Sequence, residues 1–162
     1  MDDSLFDRLP LFQDLLPEHS CLIRPLFTPC FETPGSILFE QGELADRLYL
    51  VIVGEVVIRY KPEDGPAILI AHVRTGGLVG WSAALGNPIY TSSAVCTSEC
   101  QMLIARGQDL RAFCEQHPKE GSFLLERLAR VVAERLRTSH EHVIALLEQS
   151  FQVNGQKSLT TG

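Results

Sequence analysis

Five histidines, five cysteines and 20 acidic side chains are the groups in this 162-residue chain best suited to metal binding or catalysis. Their spacing supports neither. His19, His72, His117, His140 and His142 are scattered, and only His72 lies among strand-like segments. His140 and His142 are two apart on a helical stretch and so face different sides. A metal-dependent β-roll enzyme needs histidines and a carboxylate converging from neighbouring strands. Cys21, Cys30, Cys96, Cys100 and Cys114 contain no C-x-x-C pair and read as reduced, mostly buried thiols. Cys96 and Cys100 flank Thr97-Ser98-Glu99, a turn that sets them facing across a hairpin as small hydrophobes. No catalytic residue and no metal ligand is assigned.

The elements that would carry a site fall into three stretches of different period. Residues 1–32 hold apolar pairs between prolines at 10, 17, 25 and 29, which forbid one long helix and predict short helical turns. Residues 33–106 hold short β-branched runs closed by glycine turns, the pattern of an antiparallel barrel or roll. Residues 107–151 are helical: a short helix from Asp109 ends at His117-Pro118, and a long one runs from about Lys119 to Ser150. Leu125, Ala129, Val132, Leu136, Ser139, Val143 and Leu146 step by four and three along it, an a/d seam for a homodimer. Residues 152–162 read as a flexible tail.

Composition sets the outer limits. Hydrophobic residues make up 45% and charged residues 21%, an ordinary globular balance. The net charge of −6 repels a phosphate backbone, which argues against DNA or RNA as a general partner. No apolar run approaches the roughly 20 residues of a membrane span. Met1-Asp2-Asp3-Ser4 is acidic where a secretion signal is basic, so the expected location is the cytoplasm.

One segment is more specific than these patterns: Pro34-Gly35-Ser36-Ile37-Leu38-Phe39-Glu40-Gln41-Gly42-Glu43-Leu44-Ala45-Asp46-Arg47-Leu48-Tyr49-Leu50-Val51-Ile52-Val53-Gly54-Glu55-Val56. Strand, glycine–glutamate turn, acidic residue, aromatic-led strand and G-x-V follow in order. The run resembles the signature of the cyclic nucleotide-binding domain family, as found in the sensor halves of the catabolite activator and fumarate–nitrate regulators. The resemblance implies a mainly β fold, a double-stranded, jelly-roll-like β-roll with short N-terminal helices and a long C helix. It implies a non-enzymatic regulatory module whose ligand is a cyclic nucleotide (cyclic AMP or cyclic GMP) or another small anion.

In that family a short helix begins at a Phe-Gly-Glu turn facing the cyclic phosphate, the Glu accepts from the ribose hydroxyl, and a later Arg pairs with phosphate. The corresponding positions here are Val79, Gly80, Trp81, Ser82 and Ala83, then Tyr90, Thr91 and Ser92. Trp81 stands at the Glu position, and Tyr90 or Thr91 at the Arg position. No Lys or Arg occurs between Arg74 and Arg106. A charge-assisted hydrogen bond is worth about 1.5–3 kcal/mol and a neutral one about 1, so losing both weakens binding roughly 70- to 900-fold. The resemblance further offers Thr138 and Ser139 as C-helix contacts to a purine, although Ser139 equally reads as a polar seam position.

Two other readings stay open at this point. One is an interaction scaffold that binds no small ligand, favoured if Trp81 and Tyr90 fill the pocket. The other is a cupin-like enzyme, which would require bound metal. A winged helix-turn-helix follows the C helix in the family's regulators, whereas 12 residues follow Ser150 here, so these residues are not expected to read DNA.

Overall fold

Prolines divide the N-terminal stretch as the sequence predicts. Helix α1 (Asp3–Arg8) leads into a 3-10 turn at Pro10–Phe12, helix α2 (Pro17–Ile23) and a second 3-10 turn at Arg24–Leu26. A proline opens the first turn and α2 and stands second in the other turn, where its missing N–H costs no helical hydrogen bond. The computed structural model describes residues 3–83, 86–134, 137, 144 and 147–148. The chain divides into two compact units, Met1–Val132 and Ala133–Gly162, and the architecture that follows belongs to the first.

Eight strands form two four-stranded antiparallel sheets: β1 (Thr28–Glu32), β2 (Ile37–Phe39), β3 (Arg47–Val53), β4 (Val56–Tyr60), β5 (Ile68–Val73), β6 (Leu78–Val79), β7 (Ser93–Cys96) and β8 (Cys100–Arg106). Their orders are β1-β8-β3-β6 and β2-β7-β4-β5. The expected jelly-roll architecture is observed. One detail differs: β1 occupies residues 28–32, a stretch expected to belong to the helical entry. Pro29 disguised it in sequence, but β1 is an edge strand paired only with β8, where proline is tolerated.

Strand β3 explains how the layers hold together. Leu48, Leu50 and Ile52 point toward a helical-side cluster containing Phe6, Leu9, Phe12, Leu110, Phe113, Leu124 and Leu128. Tyr49 and Val51 point the other way, into the cluster between the sheets with Phe39, Val56, Ile58, Ala94 and Met102. A strand covered on both faces reads as a continuous apolar run rather than an alternating one.

Helix α3 (Gly107–Gln116) follows β8, and helix α4 is described over 118–134. Leu124 and Leu128 of α4 are buried against the roll, and Val131 and Val132 pack beside them. Leu125 is 44% exposed and Ala129 is exposed, so the first two seam positions face away from this core. The remaining seam and contact positions, Leu136, Thr138, Ser139, Val143 and Leu146, lie outside the described residues, as does the tail over 152–162. Among the described residues no helix is long and apolar enough to cross a membrane.

Candidate functional site

Gly80 follows strand β6, and the residue type there is dictated by space. Its φ is +78°, and a Cβ would lie 2.8 Å from the Arg47 carbonyl oxygen and 3.1 Å from the Phe39 ring. Only glycine satisfies both demands. Trp81–Ala83 then form a single 3-10 turn. Its polar groups are heavily used: the Ala83 N–H donates to the Gly80 carbonyl (3.1 Å), the Asn87 N–H to the Ser82 carbonyl (3.1 Å), and Arg111 Nη1 from α3 to the Ala83 carbonyl (2.8 Å). A turn this short sums few peptide dipoles, so it offers an anion much less than a full helix does.

Tyr90 occupies the neighbourhood where the resemblance places a phosphate-binding Arg. It is 3% exposed, and its ring stacks on Phe39 with centroids 3.7 Å apart and 13° between planes. Its hydroxyl donates to the Arg47 carbonyl at 2.6 Å and accepts from the Arg47 N–H at 3.0 Å. Backbone bonds to the 42–43 turn hold it from both sides: the Tyr90 N–H donates to the Glu43 carbonyl and the Gly42 N–H to the Tyr90 carbonyl, each at 2.9 Å. Burial pushes the phenol pKa up, which keeps the group neutral at physiological pH.

The structure thus brings Val79, Gly80 and Tyr90 together around Phe39 and the Arg47 backbone. Val79 and Ala83 are fully buried between the sheets. Trp81 packs against the helical-side cluster instead. Ser82 is buried, Thr91 exposed and Ser92 half-buried. Among the described residues no side-chain hydrogen bond joins these hydroxyls to one another. Phe39 and Arg47 were absent from the sequence-derived site. Phe39 stood inside the signature segment, but its role depends on a stacking partner 51 positions later, which no local pattern announces.

Two cavities adjoin this region. One, of about 410 Å³, has Leu38, Leu44, Tyr49 and Tyr90 in its wall. The other, of about 470 Å³, has Arg47, Arg106 and Arg111 in its wall. Of the expected pocket residues, only Tyr90 lines either of them. Among the described residues no cluster of His, Cys, Asp and Glu could hold a metal ion. Cys96 and Cys100 are buried, and burial pushes the Cys96 thiol up to about 12, in keeping with an inert structural group. Cys21, in contrast, is exposed, and Cys30 and Cys114 are half-buried, so the thiols are less uniformly buried than expected.

Comparison with known proteins agrees with the fold. Residues 33–117 match the family model described as "Cyclic nucleotide-binding domain". The chain is 27% identical over 145 residues to the CRP-like cAMP-activated global transcriptional regulator of Mycobacterium tuberculosis, covering 90% of this chain and 63% of that protein. It is 30% identical over 128 residues to the Cyclic AMP receptor protein of Thermus thermophilus, covering 79% of this chain and 57% of that protein. The chain therefore spans about three fifths of the length of these curated relatives. Among solved structures, the Thermus thermophilus catabolite activator protein superposes with a TM-score of 0.67 at 28% identity, over 85% of this chain and 62% of that one. A cyclic nucleotide-binding domain from Methylobacillus flagellatus reaches 0.76 at 20% identity, over 88% of this chain and 80% of that one, a likeness of fold.

Proposed function

The chain belongs to the cyclic nucleotide-binding domain family, and from that premise we propose that it is a non-catalytic regulatory module, cytoplasmic and homodimeric through α4, whose nucleotide pocket is closed by its own side chains. The observation that carries this reading is the buried Tyr90 ring, stacked on Phe39 and hydrogen-bonded twice to the Arg47 backbone. A neutral phenol with both hydrogen-bonding functions used inside the chain has no charge to offer a phosphate. Trp81, at the ribose-binding position, supplies an indole committed to the helical-side core. Losing both anchors weakens a micromolar site to about 0.1–1 mM.

The same observation favours a second reading, a protein-interaction scaffold with no small ligand. Calorimetric titration with cyclic AMP and cyclic GMP separates the two. Weak binding near 0.1–1 mM is expected for the altered sensor, and no heat at millimolar nucleotide supports the scaffold. Binding at a few micromolar would overturn the closure of the pocket.

The route of regulation follows from packing. Trp81 of the turn shares the helical-side cluster with Leu124 and Leu128 of α4. A ligand or partner that shifts the Leu78–Ala83 segment would therefore bias the packing of α4, a population shift between two arrangements. The partner that reads it is a second copy across Leu125, Ala129 and the later seam positions. With a net charge of −6 the chain is assigned no nucleic-acid contact. Leu125→Asp tests the dimer cleanly, because Leu125 lies outside the buried core. Sizing chromatography should show half the apparent mass of the parent with the circular dichroism spectrum retained; an unchanged dimer would remove α4 from the interface.

A further inference from the structure

We propose that the cavity beside Arg47, Arg106 and Arg111 binds a dianionic phosphate monoester, at a place distinct from the closed nucleotide pocket. The arginines come from three elements: the first residue of β3, the last of β8 and the second turn of α3. Arg47 and Arg106 are register partners across the antiparallel β3–β8 ladder, so their side chains leave the same face of the sheet, and both line this cavity. Like charges placed directly opposite in a sheet are unfavourable. Here the pair sits in a protein of net charge −6, and Arg106 makes no ion pair with any described residue. An anion held between the two arginines would offset that unfavourable pairing of like charges.

The third arginine is positioned for the same ligand. One arm of Arg111 is anchored on the Ala83 carbonyl at 2.8 Å, which leaves its other N–H groups available toward the 470 Å³ space. The amides of Asn87 and Gln108 add neutral donors to the wall. The acid in that wall is Asp46, 4.0 Å from Arg47 Nε. Three cations and one carboxylate leave a charge of +2, which a monoester near −2 neutralises at pH 7. A cyclic phosphodiester, with one negative charge and two terminal oxygens where a monoester has three, fits three guanidinium groups less well.

The organic part of the ligand has a place as well. This cavity shares Leu44, Asp46 and Arg47 with the neighbouring 410 Å³ cavity, whose wall includes Leu38, Phe39 and Tyr49. Glu43 also lines that second space and disfavours further negative charge there. The fitting ester is therefore an uncharged, partly apolar alcohol.

The test uses the purified chain at fixed ionic strength, titrated with phenyl phosphate, inorganic phosphate and cyclic AMP. Phenyl phosphate is expected to bind and raise Tm, inorganic phosphate to bind more weakly, and Arg106→Gln to weaken phenyl phosphate by about tenfold or more. Without ligand, Arg106→Gln should be as stable as the parent or more so, because it removes one of two like charges paired across the strands. Equal binding by parent and variant overturns the site, as does a failure of both phosphates to bind at millimolar concentration. Inorganic phosphate binding with phenyl phosphate excluded overturns the ester.

Discussion

Tyr90→Ala should lower the unfolding free energy by about 3–5 kcal/mol, the range for deleting a buried aromatic ring. In a chain of this size each kcal/mol shifts Tm by about 2–4 °C, so a fall of roughly 6–20 °C is expected by calorimetry. The reason is the ring's setting: 3% exposed, stacked at 3.7 Å on Phe39 and close to the Gly80 backbone. Tyr90→Phe separates the ring from its hydroxyl. It keeps the stack and removes the bonds to the Arg47 N–H and carbonyl, a loss of about 1–3 kcal/mol if those groups stay unsatisfied. Loss of the ring must therefore cost more than loss of the hydroxyl. A Tyr90→Ala Tm within a degree or two of the parent would mean that Tyr90 is not the plug of the pocket.

Gly54→Ala is the second severe substitution. Gly54 links β3 to β4 with φ +106°, and an added Cβ would lie 2.4 Å from the Glu99 carbonyl oxygen and 2.7 Å from Cys100 Sγ. Backbone strain of about 1–3 kcal/mol and overpacking of about the same size act together at this position. Denaturant unfolding should show a loss of roughly 2–6 kcal/mol from these two effects. Gly42→Ala is the control: φ is +92°, but nothing lies within 4 Å of the new methyl, so only strain applies. Equal effects at the two glycines would show that conformation alone, without the close approach of the 97–100 turn, sets the requirement. The neighbouring Glu55 reinforces this corner. A hydrogen bond from Thr97 Oγ1 (3.0 Å), with His72 Nδ1 (3.3 Å) and Arg74 Nε (2.9 Å), holds its carboxyl below the usual range.

The roll was readable because its turns and strands are local signals. Gly35, Gly42, Gly54 and Gly76 punctuate β-branched runs, and all four adopt positive φ. Strand β1 was missed because a Thr-Pro-Cys-Phe-Glu segment has no alternating pattern, and its pairing depends on β8, about 70 residues away. The site was half legible. The absence of Lys and Arg between positions 74 and 106 is what the sequence offers toward the proposed loss of a phosphate anchor. What replaced it was hidden, since stacking of Phe39 on Tyr90 and capture of the Arg47 backbone are tertiary contacts between β2, the start of β3 and a loop. Trp81 was misleading for a related reason: its position in the signature points to the pocket, while its bulk finds apolar cover among the helices.

The two-faced burial of β3 makes that strand a wall common to two rooms. Leu48, Leu50 and Ile52 line one and Tyr49 and Val51 the other, so neither can be emptied while the wall stands. A slide of β3 by one residue would exchange the two sets of side chains and spoil both rooms at once. Buried on both faces, its amides are expected to be among the last of the roll to exchange with solvent. Any displacement transmitted across the roll must therefore be a small tilt of intact layers rather than a loosening of one of them.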